Sequence, residues 1–193
     1  MKTTDWKFDF SSLPHWDNRN SIPYVYDEFF DIPQSDTLCC IYSIAEVSMS
    51  NYLGFLAIIK NKEKPELFLN ITEGINFCPN ISVNPDGNLI FLQASIYNKD
   101  THAIKRPILI IDISKQVFSY VSTDNYNPCY EVVELKKNVF RIKADADQKK
   151  SDKRLNELCK KKIRINRLTW HDLSELSSLP EMLFRKVVHG LIS

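Results

Sequence analysis

Apolar and polar positions alternate over much of the chain between residues 38 and 145, and this two-residue period predicts β-strands. A strand is also predicted at Leu89–Tyr97, which is rich in apolar and aromatic residues and follows the tetrapeptide Asn84-Pro-Asp-Gly87. Proline fixes its own backbone angle and glycine accepts a positive φ, so this tetrapeptide favours a chain reversal. A further hairpin is predicted at Tyr130–Lys143. These features together predict a mainly β, antiparallel fold.

The same strand-and-turn pattern occurs twice along the chain, 36 positions apart. The aligned residues are Val47, Asn51, Leu53, Phe55 and Leu56 in one copy and Val83, Gly87, Leu89, Phe91 and Leu92 in the other. The match of Asn51 with Gly87 is informative, because both residue types tolerate a left-handed backbone conformation. Farther along, Pro65–Ile71 and Pro107–Ile113 both begin with a proline that is followed by alternating apolar residues. The alternative to a true repeat is chance similarity between strands of like composition.

Antiparallel repeats of this length, with such a turn between strands, resemble the blades of β-propellers over residues 39–121. A closed propeller needs about four or more blades. The chain offers two copies and one further hairpin. We therefore expect a twisted antiparallel meander or a partial propeller-like repeat; two short sheets packed together also fit the pattern.

Helices are predicted in the carboxy-terminal part of the chain. Residues Asp147–Leu158 fit a short polar helix, and 162–168 alternate like a short strand. Thr169–Asp172 fits a capping arrangement that opens a helix, and Pro180 is suited to open a second one. The apolar stripe on these two helices consists of Leu173, Leu176, Leu179, Leu183, Phe184 and Val187. We expect both helices to pack on the sheet.

A length of 193 residues fits one domain. Within this single domain, 1–193, the sequence predicts three parts. Residues 1–37 form an irregular, aromatic-rich segment that lies over a core, or alternatively a short edge strand. Residues 38–145 hold the antiparallel β repeats, and 146–193 hold a basic segment and the carboxy-terminal helices.

Cysteine content and the lack of a secretory-signal pattern indicate a reducing compartment. The chain has five cysteines, an odd number, and its first residues lack an apolar core followed by a cleavage site. The longest mostly apolar run, Tyr52–Ile59, is far shorter than the roughly 20 residues that span a bilayer. We therefore expect a cytoplasmic protein that does not enter a membrane.

Local motifs for catalysis or cofactor binding do not occur in the sequence. With four glycines there is no phosphate-binding glycine loop, and neither a nucleophile elbow nor an HExxH zinc motif is present. Cys39 and Cys40 are adjacent on a predicted strand and so point to opposite faces. The sequence thus predicts no metal, no cofactor and no enzymatic activity. The alternative is a hydrolase or transferase with a dispersed site around His15, His102 or His171.

Charge is unevenly distributed, although the formal net charge is +1. Residues 1–40 carry seven acidic and three basic residues, whereas 148–167 carry six Lys and three Arg against one Asp and one Glu. The acidic patch predicted to bind a partner consists of Asp27, Glu28, Asp31 and Asp36. The basic segment predicted to bind a partner or nucleic acid consists of Lys149, Lys150, Lys153, Arg154, Lys160, Lys161, Lys162, Arg164 and Arg167. The alternative for both is a solvated surface.

Two classes of binding protein stand beside the enzyme alternative. A β-rich scaffold with asymmetric charge favours a non-enzymatic protein-binding module. In this general character the chain resembles bacterial immunity proteins, which implies that it neutralises a toxin, for example a nuclease, by binding it. Its near-neutral net charge departs from the acidic character of many such proteins. The second class is a nucleic-acid-binding accessory protein that uses the basic segment, which lacks aromatic residues for base stacking.

Overall fold

The computed structural model describes residues 25–31, 38–45, 52–60, 64–71, 75–98, 100–123, 131–144 and 146–184, and before residue 82 it describes the backbone. In these ranges the fold is mainly antiparallel β, with short helices toward the carboxy-terminal end. This confirms the fold class that the alternating pattern predicts.

The strands and helices of the described ranges follow one another in short segments. The strands are β1 (Val25–Asp31), β2 (Leu38–Ala45), β3 (Tyr52–Lys60), β4 (Lys64–Ile71), β5 (Ile75–Val83), β6 (Leu89–Asn98), β7 (Ala103–Lys105), β8 (Ile108–Asp112), β9 (Val117–Val121), β10 (Glu131–Lys136), β11 (Val139–Lys143), β12 (Lys162–Arg164) and β13 (His171–Asp172). The helices are α1 (Ala146–Ser151), α2 (Lys153–Lys160) and α3 (Leu179–Phe184), with 3₁₀ helices at Ile165–Arg167 and Leu173–Ser178.

These strands form three antiparallel sheets in the described part of the chain. The first sheet has the order β1-β2-β3-β4, and the second has the order β13-β9-β8-β6-β5, with β7 also paired to β6. The third sheet has the order β10-β11-β12. Each of these strand orders is open, so within the described ranges no sheet closes on itself.

The two aligned copies of the sequence repeat occupy matching places in two sheets. β2, β3 and β4 are consecutive neighbours in the first sheet, and β5, β6 and β8 are consecutive neighbours in the second. β7 is an insertion between the second and third strands of the later copy. The strand order therefore agrees with the repeat, and the likeness to propeller blades stays a prediction.

The turn between β5 and β6 depends on Asn84, which is buried. Its carbonyl oxygen accepts the N–H of Gly87 at 2.9 Å, and its side-chain oxygen accepts the N–H groups of Asn88 at 3.0 Å and Leu89 at 2.8 Å. Gly87 has φ 71°, where a side chain would be costly. The predicted reversal is confirmed, and its side-chain hydrogen bonds fix where β6 begins.

One face of the second sheet is covered by the carboxy-terminal helices. The buried cluster between them consists of Ile90, Leu92, Ala94, Ile96, Leu109, Ile111, Phe118, Leu173, Leu176, Leu179 and Leu183. In addition, the Lys105 ammonium donates a hydrogen bond to the carbonyl oxygen of Leu183 and lies 4.9 Å from the centre of the Phe184 ring. The predicted packing of helices on the sheet is confirmed. Val187 lies outside the described residues.

The first of these helices differs from its prediction. It is a 3₁₀ helix, and its cap is Asp172, whose carboxylate accepts the N–H of Ser174 at 2.9 Å. Thr169 as the cap is wrong, because His171 and Asp172 are extended and pair with β9. This strand pairing delays the start of the helix until Leu173.

The opposite face of the second sheet packs against the third sheet and α2. The buried cluster here consists of Leu89, Phe91, Ile108, Ile110, Val132, Phe140, Ile142, Ala144, Leu155, Leu158 and Ile163. The N–H of Val132 on β10 also donates to the Ser82 hydroxyl on β5 at 2.9 Å. Since β6 and β8 are apolar on both faces, they lie in the middle of a layered structure.

The basic segment contains more secondary-structure elements than its sequence pattern predicts. Residues 147–158 form two helices instead of one, because the chain breaks at Asp152, whose carboxylate caps α2 by accepting the N–H groups of Arg154 and Leu155. The predicted strand at 162–168 ends at Arg164, and a 3₁₀ turn follows. Leu155 and Leu158 are buried, as the pattern predicts for the apolar side of the helix.

Candidate binding site on the basic helix–sheet surface

The predicted acidic patch falls on the first sheet. Asp27, Glu28 and Asp31 lie on β1, the strand at one end of the sheet order, in antiparallel register with β2. Asp36 lies outside the described residues. The patch therefore stays a prediction with a known strand position for three of its four residues.

The predicted basic residues spread over four elements and the C-cap of α2, all close in sequence. Lys149 and Lys150 lie on α1, Lys153, Arg154 and Lys160 on α2, Lys161 at its C-cap, Lys162 and Arg164 on β12, and Arg167 in the 3₁₀ helix that follows. All are exposed except Lys149, which is half-buried. Their surface location agrees with the sequence.

The structure adds two cations that the sequence reasoning missed, Arg141 and Lys143 on β11. Both are exposed. Phe140, which precedes Arg141, and Ile142, which lies between the two cations, are buried. Arg141 is the register partner of Lys162 on β12. The signal was present in the alternation of the β11 sequence VFRIK, where both polar positions carry positive charge. We call Arg141, Lys143 and the nine residues of the basic segment the basic surface.

A cleft of about 190 Å³ lies where the end of β11 meets α1 and α2. Its lining residues are Arg141, Ile142, Lys143, Lys149, Asn156, Cys159 and Lys160. Four of these seven residues are cationic and none is a carboxylate. The cleft is therefore a place on the basic surface where positive side chains surround a common space.

Packing beneath α2 explains why these side chains converge. Leu155 and Leu158 anchor α2 in the buried cluster that also holds Phe140 and Ile142 of β11. Cys159 and Lys160 follow Asn156 on α2 by three and four positions, so the three side chains lie on one side of the helix. The polar side chains of β11 and the side chains on this side of α2 therefore lie next to each other.

Carboxylates offset only part of the positive charge around the cleft. Lys143 lies 3.5 Å from Glu131, and Lys160 lies 2.6 Å from Glu157, but both pairs are more than 60% exposed. Exposed pairs of this kind contribute little, about 0–1 kcal/mol. Arg141 and Lys149 have no carboxylate within 4.0 Å among the described residues. These two cations are the ones best placed to bind an anion.

The Cys159 thiol in the cleft is not an activated nucleophile. Burial raises its pKa, and the nearby Lys149 and Arg141 and a hydrogen bond with the Ala144 backbone offset only part of that effect. A thiol with a raised pKa stays protonated near neutral pH and reacts slowly. A raised pKa is therefore the opposite of what an activated cysteine nucleophile requires.

The histidines of the enzyme alternative lie on different elements. His102, in the turn before β7, shares a 2.6 Å hydrogen bond with the Tyr97 hydroxyl; His102 is exposed and Tyr97 is half-buried. His171 on β13 stacks on Tyr120 with ring centres 6.3 Å apart. His15 lies outside the described residues. Within the described ranges, no group of three or more His, Cys, Asp or Glu side chains is arranged to hold a metal.

The helices in the described part of the chain are all too short or too polar to cross a bilayer.

The fold and the cleft together define a β-rich protein of three open antiparallel sheets with a basic surface, in the part of the chain that the structure describes. No protein-family model matches the sequence. Searches of curated proteins and of solved structures found no similar protein.

Proposed function

We propose that this chain is a non-enzymatic protein-binding module of the cytoplasm, and more specifically that it binds and neutralises a toxin in the manner of an immunity protein. The observation that carries the proposal is the basic surface, with its cleft and with Arg141 and Lys149 unmatched by carboxylates among the described residues. The partner is expected to present an acidic face.

The construction of the basic surface supports a role in recognition. β11 is the middle strand of the third sheet, and its buried residues Phe140 and Ile142 tie it to the second sheet. α2 is anchored by two leucines in the same cluster. A partner that docks here meets a backbone that is already ordered, so the entropy lost on binding is small.

Charge complementarity accounts for specificity and for the speed of association. A cationic surface attracts an acidic partner over roughly a Debye length, about 8–10 Å at physiological ionic strength. It also disfavours partners that present like charge. An inhibitor that must capture a toxin before it acts benefits from fast association. The acidic patch, of which Asp27, Glu28 and Asp31 lie on β1, is a second contact surface in this proposal, suited to a basic region of the same toxin.

Charge reversal in the cleft is expected to weaken partner capture strongly. The variant Arg141→Glu/Lys149→Glu changes the local charge by four units, and we expect partner recovery to fall by about tenfold or more, because like charges then face each other across the interface. The measurement is a tagged pull-down from the native cell, with nuclease digestion and a salt series, quantified by mass spectrometry. A stoichiometric protein that survives nuclease treatment is the expected partner.

The matched control is Lys136→Glu/Lys137→Glu, which makes the same charge change at exposed residues in the β10–β11 hairpin and should leave recovery unchanged. Equal recovery by both variants would remove the basic surface from the proposal. The acidic patch is then tested by neutralising Asp27, Glu28, Asp31 and Asp36 together. Recovery of nucleic acid alone, lost as salt rises, would instead favour the nucleic-acid-binding accessory protein.

A further inference from the structure

We propose that the cleft is also a binding site for a small ligand that carries a phosphate group. This inference concerns the isolated chain and does not depend on the protein partner proposed above. It rests on the lining of the cleft, on its volume, and on the placement of Arg141, Lys149 and Asn156 around it.

The donor set of the cleft matches the chemistry of a phosphate. Arg141 offers a planar fork of N–H donors that suits two oxygens of one phosphate, and each lysine adds an ammonium. Asn156 adds a neutral amide donor. A phosphate monoester carries about 1.5–2 negative charges at pH 7, more than a single carboxylate, so it interacts more strongly with several cations at once.

The volume of the cleft limits the size of the ligand that it can enclose. At roughly 30 Å³ for each water molecule of liquid, 190 Å³ corresponds to about six waters. Pockets for drug-sized ligands are larger, about 300–1,000 Å³. A phosphate and its closest waters therefore fit, and the remainder of a larger ligand would extend into solvent.

The neighbouring carboxylates define which cations matter most. Glu131 and Glu157 compete with a ligand for Lys143 and Lys160 respectively. Arg141 and Lys149 meet no such competition among the described residues. The two uncompeted cations are therefore expected to supply most of the affinity, with the two paired lysines contributing at longer range.

Cys159 provides a direct readout of occupancy, because its thiol lines the cleft and is partly exposed. The purified chain is alkylated with the neutral reagent iodoacetamide, and the modified Cys159 peptide is quantified by mass spectrometry over time. We expect inorganic phosphate to slow this reaction saturably, by about elevenfold at ten times its Kd, since the rate follows the unoccupied fraction. Sodium chloride at equal ionic strength should slow it far less, and the other four cysteines serve as internal references.

Two variants and a second probe decide the result. Arg141→Gln/Lys149→Gln should abolish protection by phosphate, whereas Lys136→Gln/Lys137→Gln, at exposed positions in the β10–β11 hairpin, should retain it. Glycerol 2-phosphate distinguishes a phosphomonoester ligand from free phosphate. Protection by both probes assigns the site to phosphomonoesters, and protection by inorganic phosphate alone assigns it to the free ion. Equal effects of chloride and phosphate, or protection that survives in the Arg141/Lys149 variant, would overturn the proposal. Because no partner is present, such a failure leaves the protein-binding proposal intact.

Discussion

Replacement of Phe140 by Ala is expected to lower the free energy of unfolding by about 3–5 kcal/mol, the usual cost of removing a buried phenylalanine. Phe140 is 1% exposed, and its ring centre lies 4.7 Å from that of Phe91 on β6. The lost side chain would leave a cavity between the second sheet, the third sheet and α2. Urea unfolding monitored by circular dichroism measures the effect.

The control for this experiment is Leu135→Ala on β10 of the same sheet. Leu135 is 42% exposed, so its truncation should change the free energy of unfolding by no more than about 0.5 kcal/mol. If Phe140→Ala costs no more than Leu135→Ala, the third sheet does not dock on the second sheet through this cluster. The same outcome would weaken the case for an ordered cleft, since α2 shares the cluster.

Replacement of Asp112 by Ala is expected to cost about 1.5–3 kcal/mol, the range for hydrogen bonds to a charged group. Asp112 is 1% exposed at the end of β8, where the chain turns into β9. One carboxylate oxygen accepts the N–H and the hydroxyl of Ser114 at 3.1 and 2.6 Å and the N–H of Lys115 at 3.2 Å. The other accepts the Lys115 ammonium at 2.8 Å.

Asp112 also makes stability depend on pH in a defined direction. Burial by itself raises the pKa of this carboxyl, but the hydrogen bonds from Lys115 and Ser114 outweigh burial, so its pKa lies below the ordinary value of 3.8. A carboxyl with a lower pKa in the folded state stabilises the fold above its unfolded pKa, about 3.9. That stabilisation is lost as pH falls through the folded pKa.

The variant Asp112→Asn tests this pH dependence, because it keeps one oxygen acceptor and removes the charge. The difference in unfolding free energy between the wild type and this variant should stay constant from about pH 7 to pH 5 and shrink below about pH 4. Lys115→Met provides a second comparison and should cost less, since the Lys115 side chain is 70% exposed. A difference that does not change with pH would show that the carboxylate charge contributes nothing to the turn.

Strand positions were predictable from the sequence because period-two burial is a local property. β6, β10 and β11 coincide with the alternating or apolar runs that predict them, and the turn before β6 coincides with its Asn-Pro-Asp-Gly sequence.

The cap of the first carboxy-terminal helix was not predictable in the same way. Thr169 and Asp172 both suit a cap, and the choice between them depends on the pairing of His171 and Asp172 with β9. Such long-range pairing leaves no local pattern.

The cleft was predictable only in part. The lysines of α1 and α2 stand out in the sequence by composition, but Arg141 and Lys143 belong to a strand that the sequence marks only as half of a hairpin. That β11 and α2 share one space depends on how Leu155 and Leu158 pack under the helix. Composition identifies the charge, whereas packing determines which charges meet.

The alternation of β11 has a consequence for how this protein can change over time. The buried side chains of Phe140 and Ile142 stabilise the fold. Arg141 and Lys143 are exposed on the same five-residue strand. Substitutions at the two outward positions should cost little stability. A lineage can therefore alter which molecules it recognises without first acquiring compensating changes in the interior, and a laboratory library at Arg141, Lys143, Lys149 and Lys160 should yield mostly folded members with new binding preferences.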